Sequence, residues 1–542
     1  MPSISDTSGD TTNRPVRTRF APSPTGFLHV GAFRTALFSY LLAKKHNGQF
    51  ILRVEDTDQN RLVPGSLQNL IASLRALGMN YDEGPDQAQV AALDKSKYGD
   101  VDPALLPAHG GDFGPYFQSQ RLPRYREVVE QLLEEGKAYY AFETPEELEG
   151  MRAAATARRL PYRYGGRYRD YSLGEARDRV AKGEPSVVRF KMPQAGPIRG
   201  IDALHGEVIF DATTQDDFVI LKGDGFPPYH LAAIVDDHDM QVSHVLRGDD
   251  WLPSFPKHVC LVEALGWEQP VWVHCPNVNG PDGKKLAKRH GALPIIGPAP
   301  ELKDGKPTGD ELKGFVNQEG YLPEALVNYL ALCGWSPGGD REVMPLPELL
   351  EAFSLEGIGT SPGIFDIQKL TWMDGVYIRQ LSPEEFASRA MPFLQSAGLL
   401  PTDPTGEQHD YAARTLALEQ ERVKKLSEAP EVADFFFPEL PTYDPKSTAR
   451  WLQKPGTAAF LTALSEAYDA LTDWSHDPIE AATREVGAKL GREKGEVTHP
   501  VRVALSGRET GPGLFDIVVV LGRERVRKRL AHAAALETAT KG

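Results

Sequence analysis

Ala21-Pro22-Ser23-Pro24-Thr25-Gly26-Phe27-Leu28-His29-Val30-Gly31 couples the end of a strand to the start of a helix. Before it, Val16 to Phe20 alternates as a short strand. After it, Phe33, Leu37, Tyr40 and Leu41 share one helical face until Asn47-Gly48 supplies a stop. Phe50 to Val54 then reads as a buried strand ending at Glu55-Asp56-Thr57-Asp58. Pro64 opens a second helix, with Leu67, Leu70, Ile71, Leu74 and Leu77 at helical spacing as far as Gly78. This βαβα opening predicts a parallel, doubly wound sheet. In such a turn Gly31 lets a nucleotide approach the backbone, the helix N-terminus favours phosphate, and His29 can donate to a phosphoryl oxygen. The same residues equally suit a proline-stiffened turn whose histidine makes a local hydrogen bond.

A second constellation, Lys284-Lys285-Leu286-Ala287-Lys288-Arg289, follows the loop Asn279-Gly280-Pro281-Asp282-Gly283. Its four cations in six residues make an electrostatic clamp for a polyphosphate, or, read alone, an exposed basic loop.

The rest of the chain bounds what these elements serve. Its 542 residues exceed one hydrophobic core and predict roughly three to five domains. With 41% hydrophobic and 25% charged residues it has the composition of a soluble protein, and no apolar run reaches the roughly 18 residues of a membrane span. Met1 to Asn13 is polar and lacks the features of a secretory signal, so a disordered tail and a cytoplasmic location are expected. Cys260, Cys275 and Cys333 are odd in number and form no CxxC pair, which points to a reducing compartment. His258 and His274 lie near two of them and could complete a zinc site, but small cysteines in apolar segments read as core, and no metal site is expected. The formal charge of −15 argues against a surface coated with basic groups, although nucleic-acid binding depends on where Lys and Arg are placed.

Along the chain, residues 87–114 lack periodicity and read as a surface insertion. A helix runs from Arg121 to Gly136, and the segment to residue 225, with a strand at Ser186 to Lys191, reads as an inserted domain. Strand and helix alternation returns at Gln241 to Leu246, Phe255 to Leu265 and Val271 to His274. From Pro323 the pattern is helical, including Glu324 to Leu332, Pro383 to Leu394 and a long run from Glu419 to Phe437. Near the end Gly511-Pro512-Gly513 makes a tight loop, and Arg523 to Arg529 carries five basic residues, either a solvated face or an RNA contact.

Together the two constellations resemble the signatures of class I aminoacyl-tRNA synthetases, HIGH at His29-Val30-Gly31-Ala32 and KMSKS at Lys285-Leu286-Ala287-Lys288-Arg289. Their order, a separation of about 250 residues and the split sheet between them strengthen the pairing, because a βαβ fold brings both loops to the carboxyl edge of one sheet. Arg19 to Gly26, Arg53 to Asp58, Gly114 to Arg121 and Tyr229 to Ala232 resemble the bacterial glutamyl-tRNA synthetases in particular. The Pro-Pro-Glu-Pro-Asn-Gly turn of glutaminyl relatives is absent, which leaves glutamine as the alternative amino acid. A synthetase-like RNA-binding protein that has lost activation is the non-enzymatic alternative.

The resemblance implies a Rossmann-like catalytic domain in two halves, 16–114 and 226–292, split by an acceptor-end-binding insertion at 115–225. A stem-contact domain at 293–375 and helical anticodon-binding domains at 376–542 follow. It implies glutamate binding by Arg19, Ala21, Ser23, Glu55, Tyr229 and Arg247. ATP contacts fall to His29, Gly31, Asp250, Lys285 and Lys288, with His29, Lys285 and Lys288 as the catalytic set. Glutamate carries two carboxylates and an ammonium, so two arginines and one glutamate suit it chemically; which arginine takes which carboxylate stays open. Arg158, Arg159, Tyr162, Arg163, Tyr164, Arg167, Tyr168 and Arg169 are candidates for the acceptor end, and Arg422, Pro512 and Leu514 for the anticodon, Arg422 matching an arginine of enzymes that reject glutamine tRNA. The expected partners are tRNA(Glu), ATP with Mg2+ and L-glutamate, acting on a monomer without zinc. Ala32, Ala287 and Ala233 depart from the family pattern by replacing a histidine, a serine and a frequent asparagine.

Overall fold

The computed structural model describes residues 14–159, 162–286, 293–298, 302–303, 306–307 and 313–538. The chain forms two compact units, Met1–Phe315 with Leu326–Ile367 and Val316–Ala325 with Gln368–Gly542.

The first unit opens as its periodicity predicts: β1 (Arg17–Phe20), α1 (Val30–Lys45), β2 (Gln49–Leu52) and α2 (Ser66–Ala76), with β1 and β2 parallel and in register from Arg17 opposite Gln49. Phe33, Leu37 and Leu41 are fully buried on α1, as are Phe50, Ile51 and Leu52 on β2, so both faces of this layer are covered. Next come β3 (Ala138–Ala141), β4 (Val187–Phe190), β5 (Pro197–Asp202), β6 (Gly206–Asp211), β7 (Val219–Leu221), β8 (His244–Gly248) and β9 (Val271–Cys275). β3, β4 and β7 make an antiparallel sheet of their own. β8 and β9 are parallel, and the Ser243 N–H donates to the Arg17 carbonyl at 2.9 Å, which sets the start of β8 beside β1.

Several expectations meet differences here. The β5–β6 hairpin, inside the segment expected as an insertion, joins the sheet of β8 and β9 through a parallel pairing of Asp202 with Trp272. Such a pairing spans about 70 residues and leaves no local signal beyond the alternation Ile198, Gly200, Asp202. The 87–114 segment is more than surface: the short helix Lys95–Tyr98 buries Tyr98, whose hydroxyl donates to Asp56 Oδ2 at 2.5 Å.

In the second unit the run from Glu419 to Phe437 is not one helix. It breaks into the 3-10 turns Gln420–Arg422 and Leu426–Glu428 and the helix Ala429–Ala433, with Val423 and Lys425 extended and Pro430 opening the new helix. The basic stretch near the end is neither a solvated face nor free for RNA throughout. Arg523 donates to the carbonyls of Tyr468 and Leu471 at 2.6 Å, and the fully buried Arg529 donates to those of Leu505 and Pro438. These guanidiniums bond carbonyls at helix and loop ends, where intrahelical partners run out.

Candidate active site

The turn from Ala21 to Gly31 walls a cavity of about 1110 Å³ in the first unit. β1 brings Arg19 to it, the turn brings Ala21 and Ser23, and the segment after β2 brings Glu55. The helix Tyr229–Asp239 contributes its first residue and β8 contributes Arg247. His29, Gly31, Asp250 and Lys285 line the same space, so the two basic and phosphate-suited elements, remote in sequence, face one cavity. Lys288 lies outside the described residues; Leu286 and Pro294, on either side of it, both line the cavity. The Leu286 N–H donates to Val278 O at 3.0 Å and the Ile295 N–H to Leu28 O at 2.9 Å. Asn69 on α2 accepts from the Leu28 N–H at 3.0 Å and donates to Ile296 O at 2.7 Å, which ties the histidine turn to the chain after the lysine segment.

His29 caps α1. Its Nδ1 accepts from the Ala32 N–H at 3.4 Å, which assigns the proton to Nε2 and makes that nitrogen a donor. A Cβ on Gly31 would lie 3.3 Å from His29 Nδ1, so a side chain there would crowd the imidazole. Lys285 Nζ stands 2.8 Å from Asp250 Oδ2 in an exposed pair that is weak in water and readily exchanged for a phosphate.

Arg19 is held rigidly. Its Nε donates to Asp237 Oδ1 at 3.0 Å and its Nη1 to Leu246 O at 3.1 Å. Arg53, fully buried, donates to the same Asp237 oxygen at 2.6 Å and to Glu55 Oε1 at 3.1 Å. Burial opposes the charge on Asp237, but Arg19 and Arg53 hold its carboxyl below the usual range. Glu55 has less help: burial pushes its carboxyl up to about 7 against the pull of Arg53 and Arg19. It is therefore poised to ionise fully when an ammonium arrives. Asp236 takes Arg121 at 2.7 Å and Gln118 and Tyr125 at 2.9 Å, anchoring the same helix from behind.

Arg247 is held by imidazoles. Its Nε donates to His274 Nε2 and its Nη1 to His258 Nδ1, both at 2.9 Å. The histidines weighed as zinc ligands thus serve as acceptors for an arginine. Burial pushes the Cys260 and Cys275 thiols up to about 12, which disfavours the thiolate a metal needs. Among the described residues, three potential ligands come within reach of one another only at His476, Asp477 and Glu480.

Sequence reasoning passed over Asp236, Asp237, Trp251 and Arg34. The aspartates carried a signal: two consecutive acids directly after the apolar run Leu231 to Val235 of one helix, where the structure buries both. Trp251 lies 4.3 Å from the Tyr229 ring, centroid to centroid, and forms part of the cavity wall. Arg34, buried on α1 and also lining the cavity, donates to the Pro276 carbonyl just beyond β9.

In the second unit Arg422 Nη1 donates to Glu419 Oε2 at 3.0 Å, and Arg502 Nη1 donates to Pro512 O at 2.6 Å. A Cβ on Gly511 would lie 3.0 Å from Arg502 Nη1 and 3.7 Å from Arg422 Nη1, so Arg422 and the Pro512 loop are brought together. Burial pushes Glu419 up to about 7, against the pull of Arg422 and Arg508. In the segment expected to receive an RNA end, several groups are engaged internally: Arg169 pairs with Asp217, and the Tyr164 hydroxyl donates to Glu143 at 2.9 Å.

The chain matches the model for the class I tRNA synthetase (E and Q) catalytic domain over residues 15–372 and that for an anticodon binding domain over 385–534. It is 40% identical to a glutamate–tRNA ligase of Moorella thermoacetica over 96% of its own length and 98% of the relative's. A glutamate–tRNA ligase of Dehalococcoides mccartyi is 42% identical over 96% and 98% of the two chains. The crystal structure of a glutamate tRNA ligase from Elizabethkingia meningosepticum in complex with its amino acid superposes with a TM-score of 0.83 at 34% identity, covering 96% of this chain and 99% of that one. The chain belongs to the glutamate–tRNA ligase family of the class I aminoacyl-tRNA synthetases.

Proposed function

We propose that the chain activates L-glutamate with ATP and esterifies it to the terminal adenosine of tRNA(Glu). The observation that carries this reading is the single cavity lined by Arg19, Glu55 and Arg247 on one hand and by His29 and Lys285 on the other. The arginines take carboxylates and Glu55 takes the ammonium, so the amino acid is fixed by charge at three points. A glutamate carboxylate oxygen attacks the α-phosphorus of ATP and the bond to the β-phosphate oxygen breaks, giving glutamyl-adenylate and pyrophosphate. His29 donates from Nε2 to the charge growing on the phosphate, and Lys285 leaves Asp250 for the departing pyrophosphate. By resemblance Lys288 shares that task. The terminal ribose hydroxyl then attacks the glutamyl carbonyl and AMP leaves. Neither step needs a protein nucleophile, so placement and prearranged charge supply the acceleration.

Mg2+ accompanies ATP, held largely by phosphate oxygens and water, and zinc has no part. The insertion receives the acceptor end, the 293–375 segment contacts the stem, and the helical C-terminal part reads the anticodon through Arg422, Pro512 and Leu514. The proximity of Arg422 to the Pro512 loop supports a shared place for these residues in that reading, and by resemblance Arg422 belongs to an enzyme that rejects tRNA(Gln). We expect it to act as a cytoplasmic monomer; no helix among the described residues is long and apolar enough to cross a membrane.

Pure protein incubated with ATP, Mg2+, glutamate and tRNA should form glutamyl-tRNA and release pyrophosphate. No charging across pH and salt conditions would defeat the reading.

A further inference from the structure

We propose that His258 and His274 are positioning residues for Arg247, set as acceptors by a hydrogen-bond chain that starts at Asp202 and ends at His230. The proposal rests on the glutamate-binding reading of the cavity and names what gives that site its free positive charge.

The chain runs Asp202, His274, Arg247, His258, His230. Asp202 Oδ2 lies 2.7 Å from His274 Nδ1, and His274 Nε2 accepts from Arg247 Nε at 2.9 Å. Arg247 Nη1 lies 2.9 Å from His258 Nδ1, and His258 Nε2 lies 2.9 Å from His230 Nδ1. Every proton in it is fixed by the two kinds of group that have no choice. An ionised carboxylate only accepts, so His274 must donate from Nδ1 and accept at Nε2. A guanidinium only donates, so His258 must accept at Nδ1 and pass its Nε2 proton to His230. Asp202 is itself immobilised, because its Oδ1 accepts from the Leu204 and His205 N–H groups and its Oδ2 from the His274 N–H at 3.0 Å. A second proton on His258 or His274 would set N–H against N–H. Burial lowers the affinity of His274, His258 and His230 for that proton, and on His258 and His230 the Arg247 charge acts in the same direction.

The consequence is electrostatic. Arg19 pairs directly with Asp237, whereas Arg247 is surrounded by the two imidazoles, the Tyr229 side chain and the face of Trp272, 5.2 Å away, with no carboxylate in direct contact. Burial lowers the Arg247 pKa, so the protein groups around it under-compensate its charge. Its Nη2 makes no hydrogen bond within the protein. A carboxylate entering the cavity therefore supplies both the missing countercharge and the missing acceptor. A protein carboxylate at position 258 or 274 would hold Arg247 equally well but would cancel the charge the substrate needs.

The test compares two kinds of substitution. His258→Leu and His274→Leu remove the acceptors. His258→Asn keeps an oxygen near the place of Nδ1, and His274→Gln keeps one near the place of Nε2. The leucine variants should raise the glutamate KM by at least about tenfold, with the ATP and tRNA KM values within about twofold, since a hydrogen bond to a charged group commonly carries that much. The Asn and Gln variants should recover most of the loss. Equal increases in all three KM values, or an unchanged glutamate KM in folded leucine variants, would overturn the relay. If the leucine variants fail to fold, the Asn and Gln variants decide: a glutamate KM near wild type sustains the proposal and a tenfold rise refutes it. A wild type that charges no tRNA overturns the ligase reading and the relay together.

Discussion

The Nε of Arg19 donates to Oδ1 of Asp237 at 3.0 Å across 218 residues of sequence. The same oxygen accepts from Arg53 at 2.6 Å, so one carboxylate orients an arginine of the cavity and neutralises another in the core. Asp237→Asn should destabilise the chain by about 3 kcal/mol, the low end for removing one member of a buried ion pair, because Arg53 retains Glu55 and Asp236. It should also raise the glutamate KM by about tenfold through loss of the Arg19 anchor. Urea unfolding and steady-state charging read the two effects separately. A variant that loses stability but keeps its glutamate KM would show that Arg19 needs no anchor.

Glu55 gives a pH dependence with a definite sign. With its carboxyl at about 7, the ionised form that pairs with an ammonium is lost as pH falls through 7. The kcat/KM for glutamate should therefore fall about tenfold per pH unit below that point, while kcat, which reports the complex, should be flatter because the bound ammonium favours the ionised carboxylate. Glu55→Gln should abolish this limb and leave a uniformly high KM. For folding the sign is opposite. The proton is held more tightly than at the ordinary 4.5, so the stabilisation is fully present below about 4.5 and is lost as pH rises through 7. An unaltered acid limb in the Gln variant would assign the titration elsewhere.

Lys285 separates stability from chemistry. Its pair with Asp250 is 64% and 43% exposed, so Lys285→Ala should change unfolding free energy by less than about 0.5 kcal/mol. Glutamate activation, followed as pyrophosphate exchange with tRNA present, should slow by at least about a hundredfold, as expected for a donor aimed at developing charge. Lys288→Ala is expected to behave alike. A near-normal exchange rate would remove the lysine from the phosphate clamp.

What was legible in the sequence followed from distance along the chain. The turn before α1, the apolar faces of α1 and α2 and the basic run at Lys284 to Lys288 are contiguous signals, and the cavity assembles from them. Asp237 could not be assigned a purpose because its partners, Arg19 and Arg53, lie about 200 residues earlier. In the sequence His258 and His274 stand beside Cys260 and Cys275, whereas their bonds go to Arg247, fixed by a helix and a neighbouring strand. The broken helix after Glu419 was missed for a related reason: the Leu426 N–H donates to Gly320 O, a tertiary bond that replaces a helical one.

Gly511 offers the sharpest probe of anticodon reading. Its φ is not positive, so alanine is allowed by the backbone, but the new methyl would meet Arg502 Nη1 at 3.0 Å and approach Arg422 Nη1 at 3.7 Å. Gly511→Ala should fold normally, because the atoms that must give way are the ends of flexible side chains, and should weaken charging of tRNA(Glu) through KM. Arg422→Gln removes the cation outright. Its partner Glu419, buried and already pushed up to about 7, then takes a proton instead of remaining an unpaired charge, so the stability cost stays modest. Its effect belongs in specificity: the ratio of kcat/KM for purified glutamate and glutamine tRNAs should fall by about tenfold or more, the scale of one charged contact to a base. A wild type that charges both tRNAs equally would deny Arg422 that role, and the same ratio in wild type and Arg422→Gln would move discrimination to other residues of the loop.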